Sequence, residues 1–208
     1  MSSATFRKLR TARCIYANCS NWYEIFLAKS HLSPTLKSVI LRNGLVLKAD
    51  DLLARWGEIF EPAIADLYGI RGAHPDIVVD IGANIGAFAC LAARLHPGIV
   101  VHAFEPQSEA IQLLKANASA NDITSIVYHE AVVTSDGRQI VFHTQENRGG
   151  SGLFRLGESQ SQSMPSTTLS TISFGGMKSL FLKMDCEGAE GELVEWVARN
   201  EELLPPAT

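Results

Sequence analysis

The chain has 208 residues, the size of one domain with modest extensions. Hydrophobic residues make up 46% and charged residues 19%, which excludes wholesale disorder and a coiled coil. The net charge of −4 hides an asymmetry. Residues 1–48 hold eight Lys or Arg against one acid, Glu24, whereas 49–208 hold ten against 21, and so acidic a body argues against nucleic acid as the main partner. For Arg7, Lys8, Arg10 and Arg13 a solvated helix face is the simplest reading. No apolar run approaches the roughly 18–20 residues of a membrane helix, and the basic start lacks the apolar stretch of a secretory signal. Cys14, Cys19, Cys90 and Cys186 form no CxxC pair and no zinc spacing, so free thiols, a cytoplasmic location and no metal site are expected.

Residues 5–30 place Phe6, Leu9, Ile15, Tyr16, Trp22, Ile25 and Phe26 at helical spacing, which predicts one or two amphipathic helices. The runs 38–42 and 45–49 flank Asn43-Gly44, the signal of a hairpin with a type I′ turn. Asp50 or Asp51 is placed to cap a helix over about 55–68, and 69–75 is a linker. From Asp76 the pattern becomes alternating strand and helix. Strands are predicted at 77–82, 99–104 and 126–133, and helices at 84–95 and 107–120. That alternation means βαβ crossovers in a doubly wound parallel sheet. Gly, Ser and Gln dominate 134–178, read as a flexible insert with edge strands at 139–143 and 167–172. A fourth buried strand, 180–185, precedes a helix over 188–199.

The most informative segment is Asp80-Ile-Gly-Ala-Asn-Ile-Gly86, where a strand runs into a glycine turn and a helix. Gly82 permits the turn, and Gly86 a close approach of helix and strand. The helix N-terminus then offers unpaired amides to a ligand. A dinucleotide fingerprint has glycine where Asn84 stands, to admit a pyrophosphate. Asp80 accepts hydrogen bonds from an amine or from turn amides. Both features favour a ligand with an amino-acid tail and no pyrophosphate, and S-adenosylmethionine fits. Glu105, at the end of the second strand, suits the two ribose hydroxyls. Glu130, at the end of the third, suits the adenine amine. The fourth strand carries Lys183-Met-Asp185-Cys-Glu187-Gly-Ala-Glu190. A lysine in a core strand needs a partner or a function, and Asp185 falls at the strand's carboxyl end. Glu187 and Glu190 sit where a helix dipole favours acids. Cys186 reads as an inert buried thiol, and His96, His102 and His129 as structural.

Together these residues resemble the FkbM family of S-adenosylmethionine-dependent methyltransferases. The resemblance rests on VVDIGANIGAF (78–88), AFEPQ (103–107), EAVV (130–133), GGSGL (149–153) and LKMDCEGAE (182–190), and covers 38–198. Ser170 stands where the family usually has an aspartate. The resemblance implies a class I, Rossmann-like α/β methyltransferase fold, O-methylation of a hydroxyl, and S-adenosylmethionine as donor. It supports Asp80, Gly82, Asn84, Gly86 and Glu105 as cofactor-binding residues, and Ala83, Glu130 and Ala131 are expected beside them. Lys183, Asp185 and Glu187 are placed at the reaction site, with Asp185 first in line as base or acceptor anchor. The expected acceptor is a small molecule, sugar or lipid. Competing readings are a cofactor-binding or partner protein without turnover, and an NAD-dependent oxidoreductase, against which Asn84 and Asp80 count.

The organisation expected is a helical arm over 1–37, a hairpin and helix leading into the core over 38–75, and the cofactor-binding domain over 76–208. The resemblance implies seven strands, three of them following the one that ends at Asp185, and the residues after the next helix are too few for three more strands. The expectation is therefore a sheet lacking its last strands, weak or no turnover from this chain alone, and self-association through an open edge at 180–182.

Overall fold

The computed structural model describes residues 3–32, 35–144, 160–186 and 188–206. The glycine-rich 149–152 and Glu187 lie outside these ranges. Helix α1 (Ser3–Asn18) and helix α2 (Trp22–Lys29) form as the apolar spacing predicts, and bury Ile15, Ile25 and Ala28. Both elements lack a C-terminal glycine cap. At α1 the unpaired carbonyls of Tyr16 and Ala17 are instead taken by the guanidinium of Arg42, at 2.9 and 3.0 Å.

Arg42 belongs to the hairpin formed by β1 (Val39–Ile40) and β2 (Val46–Leu47). Its turn is not type I′. Gly44 has φ 84°, but Asn43 is not left-handed, and the Leu41 amide reaches Leu45 O at 2.8 Å. This is the three-residue loop in which one left-handed glycine forms a bulge. Two-residue strands cannot stand alone, and here asparagines flank the ribbon on both sides. Asn21 accepts from Ile40 N and donates to Ser38 O beside β1. Asn121 does the same for both backbone groups of Val46, and Asn117 for both of Lys48, at 2.7–3.0 Å. A carboxamide offers the donor and acceptor of a peptide unit, so each acts as a piece of neighbouring strand.

The helix expected over 55–68 is shorter and broken. Asp51 Oδ1 accepts from the amides of Leu53 and Ala54, then α3 (Trp56–Ile59) runs into one π turn, Phe60–Ile64. Pro62 has no amide to continue the helical ladder, and Ala65 N bonds five residues back to Phe60 O at 2.7 Å.

The core sheet then follows: β3 (Ile77–Ile81), α4 (Ala87–Leu95), β4 (Val100–Phe104), α5 (Ser108–Ser119) and β5 (Ile126–His129). After it come β6 (Val132–Val133), β7 (Ile140–Thr144), β8 (Gln160–Met164), β9 (Ser166–Thr167), β10 (Leu180–Met184) and α6 (Glu190–Arg199). Four strands pair in the order β10-β3-β4-β5, all parallel. This is a Rossmann-like α/β architecture with a parallel central sheet. One face carries Val78, Val101, Ala103 and Phe181 against α4, α5 and the N-terminal segments in a single core. The other carries Val79, Ile81, Leu180 and Leu182 against Leu193 and Trp196 of α6. All five residues of β3 are buried, which is why it reads as an unbroken apolar run interrupted only by Asp80.

Three expectations for the strands are corrected. The third strand does not run to 133; it stops at His129, and β6 leaves the sheet to pair with β9, with Val132 N bonded to Pro165 O at 2.9 Å. Gln160–Met164, read as loop, is a strand antiparallel to β7. Its sequence, QSQSM, has no apolar alternation to betray it. Of 167–172, only Thr167 lies in a strand, and Leu169–Thr171 is a 3₁₀ turn. At the outer edge of the sheet, Pro206 O accepts from Leu180 N at 2.8 Å. No helix among the described residues is long and apolar enough to cross a membrane.

Candidate functional site

The chain proceeds outward from β3 through β4 to β5, then returns to the other side of β3 as β10. In open α/β sheets such a reversal leaves a crevice at the carboxyl ends of the strands. Here it is a cavity of about 370 Å³. Its floor is the glycine turn. Gly82 has φ 76°, and a Cβ there would lie 1.8 Å from the Asp185 carbonyl oxygen, so only glycine lets β3 and β10 close together at this end. Gly86 (φ 81°) also needs to be glycine, but for a different approach than expected. A Cβ there would meet Leu114 Cγ of α5 at 2.5 Å, so the close contact is helix to helix rather than helix to strand. Asn84 takes the left-handed conformation that asparagine tolerates, φ 49°.

Glu105 is 4% exposed and lines the cavity. Its two oxygens accept from the amides of Asn84 and Gln107, both at 2.9 Å. Burial pushes its carboxyl up to about 7, against the pull of those amides and of Lys183. Ala83 and Ala131 also line the cavity. Glu130 does not. It sits exposed past the end of β5, where its carboxylate accepts from the Ser108 hydroxyl, and Ala131, Val132 and Val133 form that wall instead.

Asp80 is fully buried below the turn, outside the cavity lining. Lys183 Nζ lies 2.9 Å from its Oδ1 and donates to Gly82 O at 2.7 Å. Burial raises the Asp80 carboxyl, with Lys183 the main opposing influence. The lysine in the strand is thus explained: it holds the buried aspartate and the carbonyl of the turn. Asp185 lies one residue past β10, exposed and lining the cavity, and its Oδ2 accepts from the Tyr68 hydroxyl at 2.6 Å. Burial and this carboxylate raise the Tyr68 phenol. Cys186 also lines the cavity, its thiol pushed up to about 12 mainly by burial, and is inert at neutral pH. Both oxygens of Glu190 accept amides at the start of α6, those of Cys186 and Gly188, at 2.8 Å. His102 and His129 lie outside the cavity lining, stacked and hydrogen-bonded to each other at 3.0 Å.

Sequence reasoning missed the wall contributed by the segment ahead of the sheet. Gly57, Glu58, Glu61, Pro62 and Tyr68 all line the cavity. Arg55, 6% exposed, bonds Asp50 at 3.0 Å and Glu58 at 2.8 Å and reaches Asn84 Oδ1 at 3.4 Å. The one available signal was the three-residue spacing of Arg55, Glu58 and Glu61, which aligns them on a helix face. Lys183 is the one basic side chain among the described lining residues, against carboxylates at Glu58, Glu61, Glu105 and Asp185. The arrangement suits a ligand that is cationic, carries hydroxyls for Glu105, and reaches from β5 across to β10. No group of three or more His, Cys, Asp or Glu among the described residues is placed to hold a metal ion.

A family model, the methyltransferase FkbM domain, matches residues 80–199, from the buried aspartate to the end of α6. The 31-O-demethyl-FK506 methyltransferase FkbM of Streptomyces tacrolimicus is 33% identical over 116 residues, covering 54% of this chain and 45% of that protein. The chain therefore spans less than half the length of that relative. Among solved structures, the precorrin-6y C5,15-methyltransferase of Geobacter metallireducens GS-15 aligns with a TM-score of 0.40 and 15% identity over 65% of this chain and 54% of its own. Trm5b of Pyrococcus abyssi aligns with a TM-score of 0.33 and 20% identity over 50% and 34%. With the family model matching more than half of its residues, including the glycine turn and the strand that faces it, the chain belongs to the FkbM methyltransferase family.

Proposed function

We propose that this chain is an S-adenosylmethionine-dependent methyltransferase that methylates a hydroxyl oxygen on a small molecule, sugar or lipid. The observation that carries the reading is the cavity at the β3–β10 reversal, with a glycine-turn floor, buried Glu105 on one side and exposed Asp185 on the other. The residues fit the donor. Gly82 and Ala83 leave the floor clear, Glu105 has lone pairs for vicinal ribose hydroxyls, and the carboxylates suit a cation. The relative's name, a methyltransferase of 31-O-demethyl-FK506, supports oxygen as the accepting atom.

When bound, S-adenosylmethionine supplies a methyl group activated by a sulfonium. The chain's own part is placement and proton removal. Ala131 and Val132 provide an apolar wall on the β5 side, and Glu105 orients the ribose. Asp185 would accept a hydrogen bond from the acceptor hydroxyl and take its proton as the O–CH3 bond forms and the S–CH3 bond breaks, the sulfonium leaving as a neutral thioether, so atoms and charge balance. Tyr68 acts on Asp185 by donating to Oδ2, which leaves Oδ1 for the acceptor's proton. Lys183 and Asp80 hold the floor of the site rather than touch the reacting atoms. Holding acceptor and donor in line supplies much of the rate.

Thermal-shift and calorimetric measurements with S-adenosylmethionine, S-adenosylhomocysteine and NAD test the donor. Either adenosyl sulfur compound at 100 times its Kd is expected to stabilise the protein by about 2.7 kcal/mol, and NAD much less. Labelled methyl transfer to a panel of sugar, lipid and polyketide hydroxyls tests the acceptor. Asp185→Asn is expected to lower turnover about a hundredfold or more while leaving the unfolding midpoint nearly unchanged. Stabilisation by NAD equal to that by S-adenosylmethionine overturns the donor reading.

A further inference from the structure

We infer that Glu58 and Glu61 receive the α-ammonium group of the donor's amino-acid tail, so that the segment ahead of the sheet completes the donor site. The inference rests on the donor reading above and names residues for one end of it. The cavity has two chemically different ends. Toward β4 and β5 it offers Glu105, Pro106 and Ala131, a surface for ribose and a flat apolar group. Toward β3 and β10 its outer wall is α3 and the π turn, which present Glu58 and Glu61.

Among the described residues, the two cations near that second end, Lys183 and Arg55, are both already paired. Lys183 is held at 2.9 Å by the carboxylate of Asp80 and at 2.7 Å by Gly82 O, so its charge is answered below the floor of the cavity. Arg55 lies behind the wall, its side chain 7% exposed, and is shared between Asp50 and Glu58. Its contact with Asn84 Oδ1 at 3.4 Å joins the glutamate wall and the glycine turn in one network. Glu58 is thereby fixed in place beside the turn, while Glu61, three residues on, lies at the exposed mouth. An ammonium carries three donors in a compact charge, and two carboxylates spaced along one helical face match it without a metal. The π turn that begins at Phe60 widens the backbone where the two glutamates meet the cavity, as such turns often do at binding sites.

The test is calorimetric titration of the wild type, Glu58→Gln, Glu61→Gln and the double variant with three probes. S-adenosylmethionine and S-adenosylhomocysteine both carry the amino-acid tail. Methylthioadenosine keeps the nucleoside and thioether and lacks the tail. The double variant is expected to bind the two tailed compounds at least about tenfold more weakly, and methylthioadenosine within about twofold of wild type. Glutamine is isosteric, and unfolding midpoints verify that the variants are folded. Tailed compounds held within twofold by a wild type and double variant that both bind overturn the inference and leave the donor reading standing. An equal loss for methylthioadenosine overturns it too, since the glutamates would then shape the nucleoside end or the fold. A wild type that binds none of the three removes the donor reading itself.

Discussion

Replacing Lys183 by methionine is expected to destabilise the protein by about 3–5 kcal/mol at neutral pH, because it strands one member of a buried ion pair. A lone lysine in a core strand could be exchanged for an apolar side chain at little cost. Lys183 is not alone. Asp80 is completely buried, its oxygen lies 2.9 Å from the ammonium, and Gly82 O loses a 2.7 Å donor in the same step. Burial already raises the Asp80 carboxyl, and removing Lys183 raises it further. A carboxyl raised on folding costs stability above its unfolded pKa of about 3.9, increasingly so until pH passes its folded value. The deficit of Lys183→Met relative to wild type is therefore largest at pH 7–8 and shrinks toward pH 4–5. Asp80→Asn added to Lys183→Met removes the stranded charge and is expected to recover a large part of the loss at neutral pH. Urea unfolding of the four proteins at pH 5 and 7.5 gives the cycle. A Lys183→Met deficit under about 1 kcal/mol at pH 7.5, or one that does not change with pH, refutes the assignment of this pair as the latch beneath the turn.

Gly82→Ala and Gly44→Ala share a positive φ, 76° and 84°, but a Cβ meets the Asp185 carbonyl at 1.8 Å in the first and nothing within 4 Å in the second. Gly44→Ala is expected to cost about 1–2 kcal/mol, and Gly82→Ala several more with loss of donor binding; equal losses in denaturant titrations would contradict the close approach. Asn117→Ala removes partners from Lys48 N, Lys48 O and Ile85 O, and is expected to cost about 2–3 kcal/mol, with faster amide exchange at Lys48 as the local sign. Glu105, pushed up to about 7, gains charge between pH 6 and 8, so donor affinity is expected to rise over that range in wild type and to stay flat in Glu105→Gln.

The central sheet was legible because parallel strands buried on both faces read as continuous apolar runs, and 77–81, 100–104 and 180–184 are such runs. The glycine turn was legible because its backbone demands glycine at two fixed places. What escaped the sequence depends on contacts between distant segments. Nothing near Tyr68 announces that its hydroxyl meets Asp185, 117 residues on. Glu130 stands at the end of a strand run, as a ligand residue would, but the chain turns away at that point and Ala131 faces the cavity. Asp80 has the residue type for a cofactor contact, and nothing in the sequence announces that it is totally buried against Lys183. A polar strand such as Gln160–Met164 is recognisable by its partner alone.

The asparagine-flanked ribbon carries a consequence for the order of folding. Val46 and Lys48 find their side-chain partners 75 and 69 positions later, at Asn121 just past α5 and at Asn117 on it. Closing loops of that length costs entropy before any reward, and strands of two residues bring little local stability to offset it. On the ribosome, the ribbon cannot be completed until α5 has been synthesised, so its apolar Leu45 and Leu47 wait unsheltered through that interval. The N-terminal segment that walls the cavity would then join a sheet already under way rather than nucleate it, and substitutions at Asn117 or Asn121 would act mainly on the unfolding rate, leaving the folding rate nearly untouched.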